Sequence, residues 1–145
     1  MSLDSAGRLG VFDEMWPSYT VFHPETETFS NLWTAYVPDY ERFCRAYERD
    51  IADYGAILRM NAKPHQPPHT FPVSMVPWES FDSFQLHLPN GGSYLTPIFT
   101  MGRIRLEGGR QMLPLAVQVH HAVCDGYHVC RLIGDVRAFL EGKED

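Results

Sequence analysis

The string His120-His121-Ala122-Val123-Cys124-Asp125-Gly126 gathers the side chains best suited to chemistry. An imidazole titrates near neutral pH and can take up a proton as a general base. The residues before it alternate after Pro114, with Leu115, Val117 and Val119 against Gln118 and His120, the period of a half-buried strand. The residues after it place Val129, Leu132, Ile133, Val136, Phe139 and Leu140 on one helical face, with Gly142 beyond the end. The histidines thus fall where a strand ends and a helix begins, a place from which a side chain can project into a cleft. Asp125 is positioned to cap that helix by accepting from its first free amides, and Gly126 would allow a tight turn. Neighbouring strand side chains point to opposite faces, so at most one of the two histidines faces a given cleft. Two other readings stand beside catalysis. One is a histidine satisfied within an apolar core. The other is a zinc site from His121, Asp125 and His128, whose spacing needs one helix although the strand pattern runs up to His120.

Other elements must hold this string in place. Arg8 to Phe22 reads as an irregular or extended segment. Asn31 to Gly55 reads as a helix, because Tyr40, Phe43, Cys44, Tyr47, Ile51 and Tyr54 form one stripe; Pro38 predicts a kink or restart, and Gly55 a stop. Lys63 to Pro72 holds four prolines and reads as a loop that leaves His65 and His69 solvated. Val73 to Trp78 predicts a short strand, and Phe84, Leu86 and Leu88 alternate as a second. Pro89-Asn90-Gly91-Gly92 is turn chemistry. Tyr94 to Leu106 and Gln111 to His120 read as a long hairpin around Gly108-Gly109. Strands between two long helices imply a two-layer α/β domain, helices on one face of the sheet.

Composition narrows the function classes. At 145 residues the chain fits one domain, 1–145, with residues 1–7 expected to be a disordered or leader segment. A net charge of −6 argues against nucleic-acid or anionic-membrane partners. No apolar run is long enough to span a membrane. Three cysteines (Cys44, Cys124 and Cys130) make no disulfide framework, which points to a cytoplasmic location. Cys124 and Cys130 are expected to be core thiols rather than nucleophiles.

The string also resembles the HHxxxDG signature of the chloramphenicol acetyltransferase family and its CoA-dependent acyltransferase relatives. The flanks separate these groups. Val117 to Val129, Val73-Ser74-Met75-Val76-Pro77-Trp78-Glu79-Ser80-Phe81-Asp82-Ser83-Phe84 and Pro97-Ile98-Phe99-Thr100-Met101-Gly102 are similar to the chloramphenicol acetyltransferase form nearly residue for residue. Upstream, Tyr19 to His23, Glu27 to Ser30 and Leu32 to Tyr36 match as well. The resemblance implies a two-layer α/β sandwich and transfer of an acetyl group from acetyl-CoA, a co-substrate rather than a bound cofactor, to a hydroxyl of chloramphenicol or a similar small molecule. It implies no metal. His121 would be the general base, oriented through its own backbone carbonyl, and Ser74 the donor to the tetrahedral oxyanion. Asp125 and Gly126 would support the site's backbone. Thr100 and Phe84 would serve substrate binding, Phe84 as an aromatic wall, and Arg103 would lie near the CoA entrance. Trp78 and Phe99 are expected to pack the core. The family's homotrimer would set His121 against Ser74 of a neighbouring copy.

Three departures qualify what is carried over. The chain begins inside the family pattern, without its N-terminal third and without an arginine that pairs with the motif aspartate, so Asp125 is expected to lack an obvious partner. Pro72 stands where the family has a polar residue, two positions before Ser74. The loop from Lys63 is unusually proline-rich. A shortened, weakly active or inactive homologue that keeps the trimeric scaffold is therefore the second reading. A core of a larger acyltransferase complex is the third, and the lack of a flexible Ala/Pro linker argues against it.

Overall fold

A computed structural model describes residues 1–3, 6–88 and 93–142. Its centre is a five-stranded mixed sheet in the order β4-β3-β5-β6-β9. Strand β3 (Trp16–His23) turns back antiparallel into β4 (Thr28–Trp33), helix α1 (Tyr40–Tyr54) crosses over, and β5 (Thr70–Met75) returns parallel to β3. β6 (Ile98–Met101) runs parallel to β5, and β9 (Leu115–Gln118) closes the sheet antiparallel to β6. Two small pairs lie apart from it: β1 (Ser2–Leu3) with β2 (Leu9–Gly10), and β7 (Arg105–Glu107) with β8 (Arg110–Met112). Helix α2 (Gly126–Leu140) ends the fold. The two-layer α/β reading holds, and several boundaries move.

The first helix begins at Tyr40, not Asn31. Residues 31–33 belong to β4, where Leu32 is wholly buried. Pro38 does not kink a helix; it precedes one, and Asp39 caps it by accepting from the Arg42 amide at 2.7 Å. Gly55 ends the helix as expected. The entry segment is more regular than the aromatic-rich sequence suggested, because β3 starts at Trp16. Strand β5 starts three residues early, inside the proline-rich stretch, and Pro72 pairs with Ser18 in a central strand. Residues 84–88 form no strand. The long hairpin divides in two because 102–104 face only 113–114, one residue fewer, and the extra residue breaks the ladder. Gly102 sits in that break with its amide on the Pro114 carbonyl, and a Cβ there would meet the Phe81 ring at 3.1 Å. The predicted turn at 89–92 lies outside the described residues.

The core forms where α1 lies on the sheet. Tyr19, Leu32 and Ala62 are buried, and Val21, Ile51, Tyr54, Ile57 and Val73 pack against them. A polar chain crosses the edge of this core. The Tyr19 hydroxyl lies 2.8 Å from Thr34 Oγ1, Thr34 donates to Asp50, and Lys63 reaches the other Asp50 oxygen at 2.6 Å. Lys63 Nζ also stands 3.9 Å from the Trp33 ring centre, so its charge has both a carboxylate and a π face. Burial pushes the Tyr19 phenol up to about 12, and it stays a neutral hydrogen-bonding group over the physiological range.

Elsewhere the packing is thinner. Helix α2 meets α1 through Phe139 and Tyr40, with ring centres 5.3 Å apart, while Leu132, Val136, Phe139 and Leu140 stay exposed. Cys130 is exposed rather than a core thiol. His69 is not solvated as expected: its ring meets Trp16 edge-on at 4.6 Å. Trp78 is 49% exposed and packs on Phe22, not in the core, and Phe99 meets Phe71.

Candidate active site

The register of the sheet decides which side chains share a face. Ser74 on β5 lies opposite Thr100 on β6, and Thr100 lies opposite Ala116 on β9. Two residues earlier on β6, Ile98 lies opposite Gln118. Cross-strand partners project to the same side, as do residues two apart. Ser74, Thr100, Ile98 and Gln118 therefore stand on one face. The α1 core uses the other, since Val73 and its partner Tyr19 have the opposite parity.

On this face Ser74 and Thr100 form a hydroxyl pair with oxygens 3.1 Å apart. Ser74 also lies 3.5 Å from the Phe99 carbonyl, at the outer limit of hydrogen bonding. With Thr100 donating to Ser74, the serine keeps its own hydrogen for another acceptor. Thr100 is buried and fixed, and Ser74 is half-buried and reachable from the face.

Two residues before Thr100 on the same face, Ile98 borders a cavity of about 190 Å³, lined by Leu86, Leu88, Tyr94, Gln118 and His120 among others; Ser74 and Thr100 do not line it. It is mixed in character, with apolar side chains beside an amide, a phenol and the two imidazoles of His87 and His120. Burial pushes the Tyr94 phenol up, which keeps it a neutral donor. His120 continues the parity of Gln118 past the end of β9. Its Nδ1 accepts from the Ala122 amide at 3.2 Å, so the neutral ring carries its hydrogen on Nε2.

His121 begins the turn into α2. It is exposed, lines no part of the cavity, and its ring makes no hydrogen bond among the described residues, to its own carbonyl or to any other group. A single chain thus brings Ser74 and Thr100 together and leaves His121 apart from them.

Asp125 is the N-cap of α2. One carboxylate oxygen accepts from the His128 amide at 3.3 Å and from His128 Nδ1 at 2.8 Å. The expectation that Asp125 lacks a partner is therefore corrected: it is exposed, and His128 serves it. The His128 amide holds the carboxyl below its ordinary value; desolvation opposes it, and the His128 ring and the Tyr127 amide add smaller help. Gly126 is the first residue of α2, has no positive φ, and a Cβ there would meet nothing within 4 Å. The turn itself does not require glycine.

Phe84 is 37% exposed, packs on Phe81 at 5.3 Å and does not line the cavity. Arg103 is exposed beside the break in the hairpin, its amide on the Glu79 carbonyl. Asp125 and His128 meet but His121 does not join them, and no group of three or more His, Cys, Asp or Glu among the described residues could hold a metal ion. Nor is any helix among them long and apolar enough to cross a membrane. Sequence reasoning missed Gln118 as part of the cavity and His128 as the partner of Asp125. The first needed the β6–β9 register; the second was legible as a cap followed three residues later by a side-chain donor.

Comparison with known proteins shows the family. The family model described as chloramphenicol acetyltransferase matches residues 1–137. A chloramphenicol acetyltransferase of Vibrio anguillarum is 49% identical over 145 residues, covering 100% of this chain and 67% of that protein. One of Campylobacter coli is 53% identical over 139 residues, 96% of this chain and 67% of that protein. A solved structure of a chloramphenicol acetyltransferase superposes with a TM-score of 0.73 at 21% identity, covering 88% of this chain and 62% of that one. The chain spans about two thirds of the length of these relatives, and by the family model and the sequence identity over that span it belongs to the chloramphenicol acetyltransferase family.

Proposed function

We propose that this chain forms the site of an O-acetyltransferase that moves the acetyl group of acetyl-CoA to a hydroxyl of chloramphenicol or a similar small molecule. The observation that carries the reading is the Ser74–Thr100 hydroxyl pair on the same sheet face as the cavity. The acceptor takes the cavity. The His121 imidazole removes the proton of the acceptor hydroxyl as that oxygen attacks the thioester carbonyl. Ser74 donates to the oxyanion that forms, and Thr100 holds the Ser74 oxygen so that its hydrogen points outward. Collapse expels the CoA thiolate, which takes the proton back from His121, so atoms and charge balance without an acetyl-enzyme.

His121 reaches such a site from a neighbouring copy in a homotrimer. Its exposure in the single chain supports this, as does the exposed apolar face of α2, which an assembly would cover. Asp125 keeps the turn after His121 in place by capping α2, and Arg103 offers a cation to the phosphates of CoA. Three free cysteines suit a cytoplasmic protein.

The test is direct. Purified protein mixed with acetyl-CoA and chloramphenicol should release free thiol at a rate that depends on both substrates and leaves chloramphenicol heavier by one acetyl group. A folded trimer that releases none above background would overturn the enzyme reading in favour of an inactive scaffold. The feature favouring that second reading is Pro72, which stands in the strand that carries Ser74 and has no amide to give to a neighbouring strand.

A further inference from the structure

We propose that Gln118 is a positioning residue for substrate specificity: its carboxamide ties residues 86–88 across the sheet face and so fixes the width of the cavity. The inference rests on reading that cavity as the acceptor site.

Residues 82–88 have no strand or helix to hold them. Among the described residues their hydrogen bonds are two, and both go to one side chain. The Leu86 amide donates to Gln118 Oε1 at 3.0 Å, and Gln118 Nε2 donates to the Leu86 carbonyl at 3.1 Å. A carboxamide offers a donor and an acceptor side by side, as a peptide unit does. Gln118 therefore gives Leu86 the pair of bonds that a neighbouring strand would give, although no strand lies there. Leu86, His87 and Leu88 form one wall of the cavity; Tyr94, Thr96 and Ile98 stand on β6 or just before it. Gln118 is the last residue of β9 and is registered to Ile98. The tie thus runs from the strand pair that bears one wall to the segment that is the other.

Neither of the near relatives of glutamine at position 118 could make both bonds. A shorter Asn would not reach, and a Glu would accept from the Leu86 amide but set its second oxygen against the Leu86 carbonyl. Loss of the tie leaves Phe81, which packs on Phe84, as the nearest anchor of the segment.

The experiment compares Gln118→Leu, which keeps volume but loses both bonds, with Gln118→Glu, which keeps one. Kinetics with chloramphenicol and acetyl-CoA are read beside hydrogen exchange at the Leu86 amide. In Gln118→Leu, the chloramphenicol KM should rise roughly tenfold, the consequence of losing two hydrogen bonds of ordinary net worth. The acetyl-CoA KM should stay within about twofold and turnover at saturation within about threefold, the pattern of lost acceptor positioning rather than lost catalysis. Leu86 exchange should accelerate strongly in Gln118→Leu and less in Gln118→Glu. An unchanged chloramphenicol KM alongside faster Leu86 exchange would overturn the specificity role. A parallel rise in both KM values would overturn it too, by showing a general loss of structure. Unchanged Leu86 exchange would overturn the tie itself. Wild-type protein that releases no thiol would remove the acceptor reading on separate grounds and the specificity role with it, while Leu86 exchange would still report on the tie.

Discussion

Replacing His121 with alanine is expected to lower turnover by roughly 10²–10⁴, the usual worth of a positioned general base. The acceptor hydroxyl is a weak nucleophile, and its proton must leave as the new C–O bond forms. Removing the base leaves water to do that work. The matching change at His120 should be much milder on turnover. The two rings do different things in the structure. His120 faces the cavity, and its Nδ1 is already committed to the Ala122 amide, whereas His121 is exposed with both nitrogens available. An indispensable His120 with a dispensable His121 would show that the base had been assigned to the wrong ring.

The change Ser74→Ala should lower turnover by about 10²–10³, the cost of one missing oxyanion donor. The chloramphenicol KM should move little, because the donor acts on charge that develops only in the transition state. The Thr100 contact strengthens this expectation. Thr100 is 2% exposed and its hydroxyl pairs with Ser74 at 3.1 Å, so alanine at position 74 would also leave a buried hydroxyl without that partner. A steady-state series over both substrates checks the split. A large KM change with intact turnover would place Ser74 in ground-state binding instead.

How much of this was legible in the sequence differs by element. Strand β9 and helix α2 were readable because alternation gives way to helical spacing over a few residues, and the change of period marks the turn between them. Residues 31–33 were misread because Leu32 and Trp33 fit the start of the α1 stripe as well as they fit a strand; pairing with Ser18 and Tyr19 decided the matter, and pairing is not local. Residues 84–88 alternate as a strand does, yet one glutamine side chain, not a ladder, holds them. In the candidate site, His121 and Asp125 stood out at the strand-to-helix change, whereas Ser74 and Thr100 could be named only from the family resemblance. Their arrangement could not. The Ser74–Thr100 pair depends on the parallel register of β5 and β6, and the distance of His121 from that pair appears only once the turn after β9 is built.

That distance makes one measurement the most direct. His121→Ala and Ser74→Ala proteins, each nearly inactive, can be dissociated together and reassembled in equal amounts, with the mixed assemblies verified by mass. If His121 of one copy serves Ser74 of the next in a trimer, every mixed trimer regains one intact site of three. Random mixing makes three quarters of the trimers mixed, so about a quarter of the unaltered activity should return. Mixed trimers whose activity stays at the level of the separate variants would contradict a site shared between copies.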